Sequence, residues 1–309
     1  MALMRNRLLL AKAETTYGTV PSPAPAGTDA LLVSNLEVQP LVLDLKEREL
    51  VRGYLGKSPS VVGQSSVSVS FSVELAGSGT AGTAPRWGAL MKACGFNEAL
   101  AAGTVTYTPI SSTFSSVALD FRNDGMKHLL LGVRGSVAIE MAAGDIPMLN
   151  FTFTGIYGVP TQTANPSPTF SLQASPVAVN ADNTTSVSVH SYSGCMNAFS
   201  LDVANTTIFR QLAGCTKQVM ITDRSPAGSV TLELPDISTK NYFTIAAEQT
   251  TGSISFQHGQ TAGNIATLTL PTCSFDSPTF EDGDGVQHIV LPYRALPSSG
   301  NDEISLVLT

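Results

Sequence analysis

Four histidines, four cysteines and one acidic run are the residues whose types could do chemistry, and their spacing decides whether they do. His128, His190, His258 and His288 are scattered, and none has a Cys, Asp or Glu at a metal-ligand spacing. They read as ordinary surface or strand residues. Glu281-Asp282-Gly283-Asp284-Gly285 resembles a calcium loop, but it lacks the third oxygen ligand and the terminal Glu of a helix–loop–helix calcium site. An acidic turn is the better reading. Cys94, Cys195, Cys215 and Cys273 are widely spaced, with no C-x-x-C pair, and read as small core residues of a reducing compartment. Ser193-Gly194-Cys195 does not make a nucleophile elbow. Ala76-Gly77-Ser78-Gly79 lacks the lysine of a phosphate loop. Metal, cofactor and enzymatic readings are therefore not supported, and the chain is taken as a non-enzyme without cofactors.

What remains is a question of surfaces. Charged residues make up only 13% of the 309, against about 25% in an ordinary globular chain, so Ser, Thr, Gly and Asn supply the polarity. A surface so poorly defended by charge is one to be covered by copies of the same chain. The net charge of −7 argues against a basic groove for nucleic acid, which needs clustered Lys and Arg. The opening MALMRNRLLLAKAE has too short an apolar run for an export signal, and nothing approaches a membrane span. Folding in a cytoplasm is expected.

The elements that would carry such surfaces are strands. Val67, Val69, Phe71, Val73 and Leu75 alternate with Ser66, Ser68, Ser70, Ser72 and Glu74, giving one greasy and one wet, nearly uncharged face. Val117, Leu119 and Phe121 alternate in the same way, and Asp124-Gly125 is a strong hairpin turn. A second hairpin carries Val137, Ile139 and Met141, then Leu149, Phe151 and Phe153. One amphipathic helix is expected, with Pro85 in its first turn, Trp87, Leu90, Met91 and Cys94 on one stripe and Gly95 at its stop. A weaker helical segment lies near Ser238–Gln249.

The chain also repeats itself. LVLDLKERELVRGYLG (41–56) aligns on FSLDVANTTIFRQLAG (199–214), keeping Leu43 and Leu201, Asp44 and Asp202, Arg52 and Arg210, and Gly56 and Gly214. SVEL (72–75) then meets TLEL (231–234), GSVAIEM…GDIPMLNF (135–151) meets GSISFQH…GNIATLTL (252–270), and SPTF recurs at 167–170 and 277–280. In this alignment the second copy lacks the Asp-Gly hairpin. The division that follows is an extended arm at 1–30, a first domain at 31–160, a linker at 161–183 rich in Thr, Pro, Ser and Asn, and a second domain at 184–309. The arm is marked by Pro21, Pro23 and Pro25.

The stretch LDFRNDGMKHLLLGVRGSVAIEMAAGDIPMLNFTFTGIYG (119–158), the opening LLLAKAETTYGTVPSPAPAG (8–27) and TYTP (106–109) together resemble the major tail tube proteins of long, flexible-tailed (siphovirus-type) bacteriophages. The match is good over the first half and weak over the second. The resemblance implies a mainly β fold of two tandem tail-tube sandwich or barrel domains made by internal duplication, with one short helix packed on the first sheet. Each domain would give a four-stranded sheet to a ring-shaped barrel, so three two-domain chains would make a pseudo-sixfold ring, and stacked rings a channel for DNA ejection. Six domains of four strands, spaced about 4.8 Å and tilted about 40°, close a backbone circle about 48 Å across. With roughly 10 Å removed for side chains, the opening still exceeds a DNA duplex.

The implied partners are other copies of the chain, the tape measure protein and DNA in the lumen without specific binding, and the tail terminator and tail-tip proteins. The implied location is the virion tail, assembled in the host cytoplasm, with no membrane. Ser68, Ser70, Ser72, Glu74 and Glu233 are the lumen candidates, and the same face on an outer sheet would simply meet solvent. Segments 46–64 and 205–222 sit where the family places its ring-to-ring loop, which makes Arg48, Arg52, Arg210 and Arg224 candidates for contacts between rings, the alternative being plain solvated charges. The alternatives are a tail terminator or baseplate ring protein of the same fold, and a β-sandwich carbohydrate-binding or adhesin protein.

Overall fold

The computed structural model describes residues 5–309. Its first half contains β1 (Arg7–Ala13), β2 (Ala30–Leu31), β3 (Ser34–Lys46), β4 (Val61–Glu74), α1 (Gly88–Ala93), β5 (Phe96–Ala101), β6 (Thr104–Pro109), β7 (Val117–Asn123), β8 (Met126–Ala142), β9 (Met148–Ile156) and β10 (Thr161–Gln162). Its second half contains β11 (Thr184–Val189), β12 (Met196–Asp202), β13 (Asn205–Arg210), β14 (Gln218–Arg224), β15 (Ala227–Glu233), α2 (Tyr242–Ala247), β16 (Gly252–His258), β17 (Ala266–Phe275), β18 (Thr279–Gly283), β19 (Val286–Ala295) and β20 (Ser305–Leu308).

The alternation in β4 is realised as read. Val67, Val69, Phe71, Val73 and Leu75 are buried, and Phe71 packs on Phe151 and Phe153 of β9. The Asp-Gly turn closes the β7–β8 hairpin with both residues at positive φ, 44° at Asp124 and 94° at Gly125, which is the backbone a two-residue hairpin turn requires. The two hairpins read from the sequence share one long strand. β8 pairs through its first part with β7, bends at an irregularity between Leu131 and Arg134, and pairs through its second part with β9. Gly135 at the bend admits no Cβ, because one would fall 1.9 Å from the Thr152 carbonyl oxygen.

Two layers result. The first, the wall, is antiparallel throughout and runs β3-β4-β9-β8-β12-β15-β19-β18. It passes from one half of the chain to the other without interruption, through the β8–β12 pairing. The second layer holds β2-β1-β7 with the start of β8, and separately β11-β16-β17-β20-β6-β5. In the latter the last strand of the chain adds to β6 of the first half. The apolar face of the wall is buried between the layers. α1 caps the core of the first half, where Trp87 is fully buried and donates Nε1–H to the Ala76 carbonyl at 2.8 Å. Both expected helices are present.

Three sequence-based expectations change. Residues 1–30 are not simply an extended arm. Residues 1–4 lie outside the described residues, but β1 pairs along its whole length with β7, and Leu9 and Leu10 are buried. The leucine run precedes the prolines and is the part that pairs. The 161–183 stretch has little regular structure, yet it is tied to the first half: Thr163 donates to Gly125, Thr169 to Gly27 and Ala174 to Gly77, while Arg122 donates to the Ala164 carbonyl. Finally, the match of 135–151 to 252–270 is not a structural equivalence. β8–β9 lies in the wall, whereas β16–β17 lies in the outer layer, where β7–β8 lies in the first half. The second half therefore has a counterpart of the Asp-Gly hairpin, and its counterpart of β8 is the pair β17 and β18.

The burial of β1 has a direct test. Leu9→Ala should destabilise the unassembled chain by about 2–5 kcal/mol, read as a lower midpoint in urea. A midpoint unchanged from the parent would return the segment to the status of an arm.

Candidate functional site

The site is a surface, and the register of the wall defines it. Ser70 of β4 faces Thr152 of β9, which faces Ser136 of β8. Ser72 leads through Asn150 and Ala138 to Asp202 and Ala227. Glu74 leads through Met148 and Glu140 to Ser200, Ser229 and Pro292. Directly opposed residues of adjacent strands project to the same side, so these rows form one polar face spanning both halves. The hydroxyls of Ser200 and Ser229, 3.0 Å apart, confirm the register across β12 and β15. Ser68, Ser70, Ser72, Glu74 and Glu233 all belong to this face.

Sequence reading missed the other acids that share the face. Glu37 stands opposite Ser70, Glu140 and Asp202 lie on the rows above, and Glu281 stands across His288 from the candidate Glu233. Alternation within β8 could have found Glu140, which follows Ser136 and Ala138 between Val137, Ile139 and Met141. Arg294 is exposed on the same face and is paired with Asp276 at 3.0 Å. Arg134 is drawn off it: its guanidinium donates to the Phe114, Ser115 and Val219 carbonyls and lies over the Tyr17 ring.

Among the described residues both side edges of the wall are unpaired: β3 pairs only with β4 and β18 only with β19. An exposed strand edge is a template for another chain. Leu41, Val42, Leu43 and Leu45 of β3 and Phe280 of β18 are exposed.

The candidate arginines differ in state. Arg48 is exposed, and Arg52 lies beside Tyr54 with its Nη1 3.3 Å from the phenol oxygen. Arg210 is exposed at the end of β13. Arg224 is already committed within the chain. It donates to Glu303 at 2.6 Å and to the Ile110 carbonyl at 2.8 Å, because β14 lies against the first half rather than projecting freely.

The residues with chemical potential also sort themselves. Cys94 and Cys273 are core residues, but Cys195 and Cys215 are exposed, lying in the connections before β12 and β14 where no apolar layer covers them. His128, His258 and His288 hold strand positions, as read, but all four histidines are buried, which corrects the surface part of that reading. They fill the second layer or the margin of the wall. His258 sits between the Thr184 hydroxyl at 2.9 Å and the Val177 carbonyl at 3.2 Å, and His190 stacks on Phe275. Among the described residues no three His, Cys, Asp or Glu gather to hold a metal ion. Residues 281–283 end β18 and Asp284-Gly285 make its turn to β19, where the Gly285 N–H donates to the Asp282 carboxylate. No helix among the described residues is long and apolar enough to cross a membrane.

A family model described as phage tail tube protein matches residues 4–303. No curated protein matches the chain.

The buried histidines set an acid limit on the fold. Burial lowers His128 and His258, and burial followed by the nearby Lys240 charge lowers His190 to about 4. The unfolded chain takes up these protons near pH 6.5, before the folded chain does. Stability should therefore be level above that pH and fall as pH drops from about 6.5 towards 4. His190→Phe should flatten part of that slope in unfolding titrations. A wild-type profile that stays flat over the window would refute the burial of neutral imidazoles.

Proposed function

The chain belongs to the phage tail tube protein family, so it is a structural component of a phage tail, and from that premise we propose that three copies close a ring and that rings stack into the channel for DNA ejection. The observation that carries this reading is the uninterrupted eight-strand wall, greasy on one face, polar and acidic on the other, and open at both side edges. The wall supplies two four-stranded units per chain. Three such walls supply the strands for the barrel about 48 Å across derived from strand spacing and tilt. In this reading the first domain ends near residue 160 and the second begins near 184, with 161–183 between them. The β3 edge of one copy pairs with the β18 edge of the next, hiding the apolar side chains exposed on β3.

The polar face then lines the lumen. Serine and threonine hydroxyls make a wall that carries little charge, and Glu37, Glu74, Glu140, Asp202, Glu233 and Glu281 add negative potential. Phosphates approaching it release no counterions and gain no ion pairs, so DNA and the tape measure protein pass without being held. Assembly in the host cytoplasm, with terminator and tail-tip proteins at the ends, completes the reading.

Negative-stain electron microscopy of the purified full chain is the first test. Rings with a central hole, or hollow tubes, are expected. A species that stays monomeric at high concentration removes ring closure, and rings that never stack move the chain to a tail-end ring protein. The lumen assignment has its own readout. Glu37→Lys combined with Glu140→Lys should yield tubes that retain duplex DNA at low salt and release it as salt rises. DNA passing these tubes as freely as the parent's would place the acids outside the channel.

A further inference from the structure

The two ends of the wall are chemically unlike, and the register says which groups lie at each. β4 begins at Val61, directly after the loop of residues 47–60, and ends at Glu74 opposite Met148. Ala142 faces Ala198 and Met196 faces Leu232, so the β8–β9 turn, the start of β12 and the end of β15 share the Glu74 end. The β18–β19 turn joins them, since Glu233 faces His288. At about 3.3 Å per residue the length of β4 places the loop about 43 Å from that end.

At the Glu74 end lies a cavity of about 730 Å³, lined by Val179, Val187, Tyr192, Met196 and Leu234 together with Cys195 and Glu233. Beside it, two residues from its lining residues Ala143 and Leu234, the connections carry Asp145 and Asp236. The loop at the opposite end is complementary. Val51 and Leu55 are fully exposed, at 105% and 102%, and Tyr54 is 70% exposed. Arg48 and Arg52 have no carboxylate partner among the described residues, whereas Lys57 reaches Glu47. The β13–β14 hairpin, at the same end, is fastened down: Val219 is buried, its N–H donates to the Tyr17 hydroxyl and its carbonyl accepts from Arg134.

The family resemblance already makes residues 47–60 a ring-to-ring loop; resting on the stacked-ring reading above, we propose the seat that receives it, this cavity of a second copy, with the apolar tip against Val187, Tyr192, Met196 and Leu234 and an arginine against the Asp145 and Asp236 carboxylates beside it. The loop cannot reach its own cavity, because the whole wall separates them. One knob and one socket at opposite ends of a chain make a contact that does not close on itself and therefore propagates as a filament. It also assigns different tasks to the halves. A three-chain ring has six four-stranded units but three sockets, so the joint between rings is threefold where the barrel is sixfold.

Engineered cysteines test the joint. In full-length chain carrying Cys215→Ser, Val51→Cys is placed to meet Cys195 of the next copy. With dissolved oxygen as the two-electron acceptor, two thiols lose their protons and electrons and become one disulfide. A ladder of linked chains on non-reducing gels is expected, and it should vanish when Cys195→Ser is added. Tubes that give no ladder, or a ladder indifferent to Cys195, would overturn the socket. Val51→Asp supplies a second reading, because Val51 is fully exposed and the change leaves the fold intact. Single rings should persist while tubes disappear, and tubes of parental length would overturn the proposal. Failure of the parent chain itself to form rings or tubes would instead remove the ring reading, and this joint with it.

Discussion

Strand β8 is hydrogen-bonded to more of the molecule than any other element described, and its bend is the constraint on which the architecture depends. Its first part closes the outer layer with β7, and its second part joins β9 on one side and β12 on the other. A strand cannot serve two layers without turning, and the turn is made where Gly132, at φ 59°, and Gly135 relieve the crowding. A side chain at either position would meet neighbours within van der Waals distance, the Tyr17 ring in one case and the Thr152 carbonyl in the other. Loss of the bend would separate the wall of the first half from that of the second. The continuity of the polar face is therefore a consequence of backbone packing at a few residues far from any exposed acid.

The parts of the fold that were legible are those in which one strand carries its own pattern. The greasy row of β4, the Asp-Gly turn and the Trp87 stripe each follow from local periodicity, and each is buried or turned as read. What was not legible is partner choice. Both β8–β9 and β16–β17 are alternating hairpins with glycines in their turns, so their sequences match although they occupy different layers. Which edge a strand joins is decided by connection geometry and by the layer already formed, and neither leaves a residue-level mark. The histidines illustrate the same gap. A scattered imidazole has no spacing to read, and burial follows only from the layers that close over it.

The candidate site was half legible for a related reason. Ser68, Ser70, Ser72 and Glu74 announce a polar face because they alternate with strong hydrophobes within one strand. Asp202 and Glu281 join that face only through cross-strand register, which requires knowing that β8 pairs with β12 and β18 with β19. Arg224 shows the opposite error. The family resemblance offered it for a contact between rings, but Glu303, near the C-terminal strand, reaches back to hold it.

The low charge content acquires a physical sense from this arrangement. The chain uses its carboxylates and arginines sparingly in the core, where Asp120 and Arg122 meet in two contacts of 2.8 Å. Many of the other acids are placed on one face and at one end. The apolar side chains that remain exposed are likewise concentrated, on the free edge of β3 and in the loop that follows it. An isolated monomer gains nothing from such segregation, since a mixed surface would protect it better from association. Segregation has a use only when each region meets a different environment. Edges must find strands, the acidic face must repel a polyanion, and the apolar loop must leave water. A folding requirement alone would not sort the residues this way, because the buried face of the wall already supplies the apolar contacts on which stability depends.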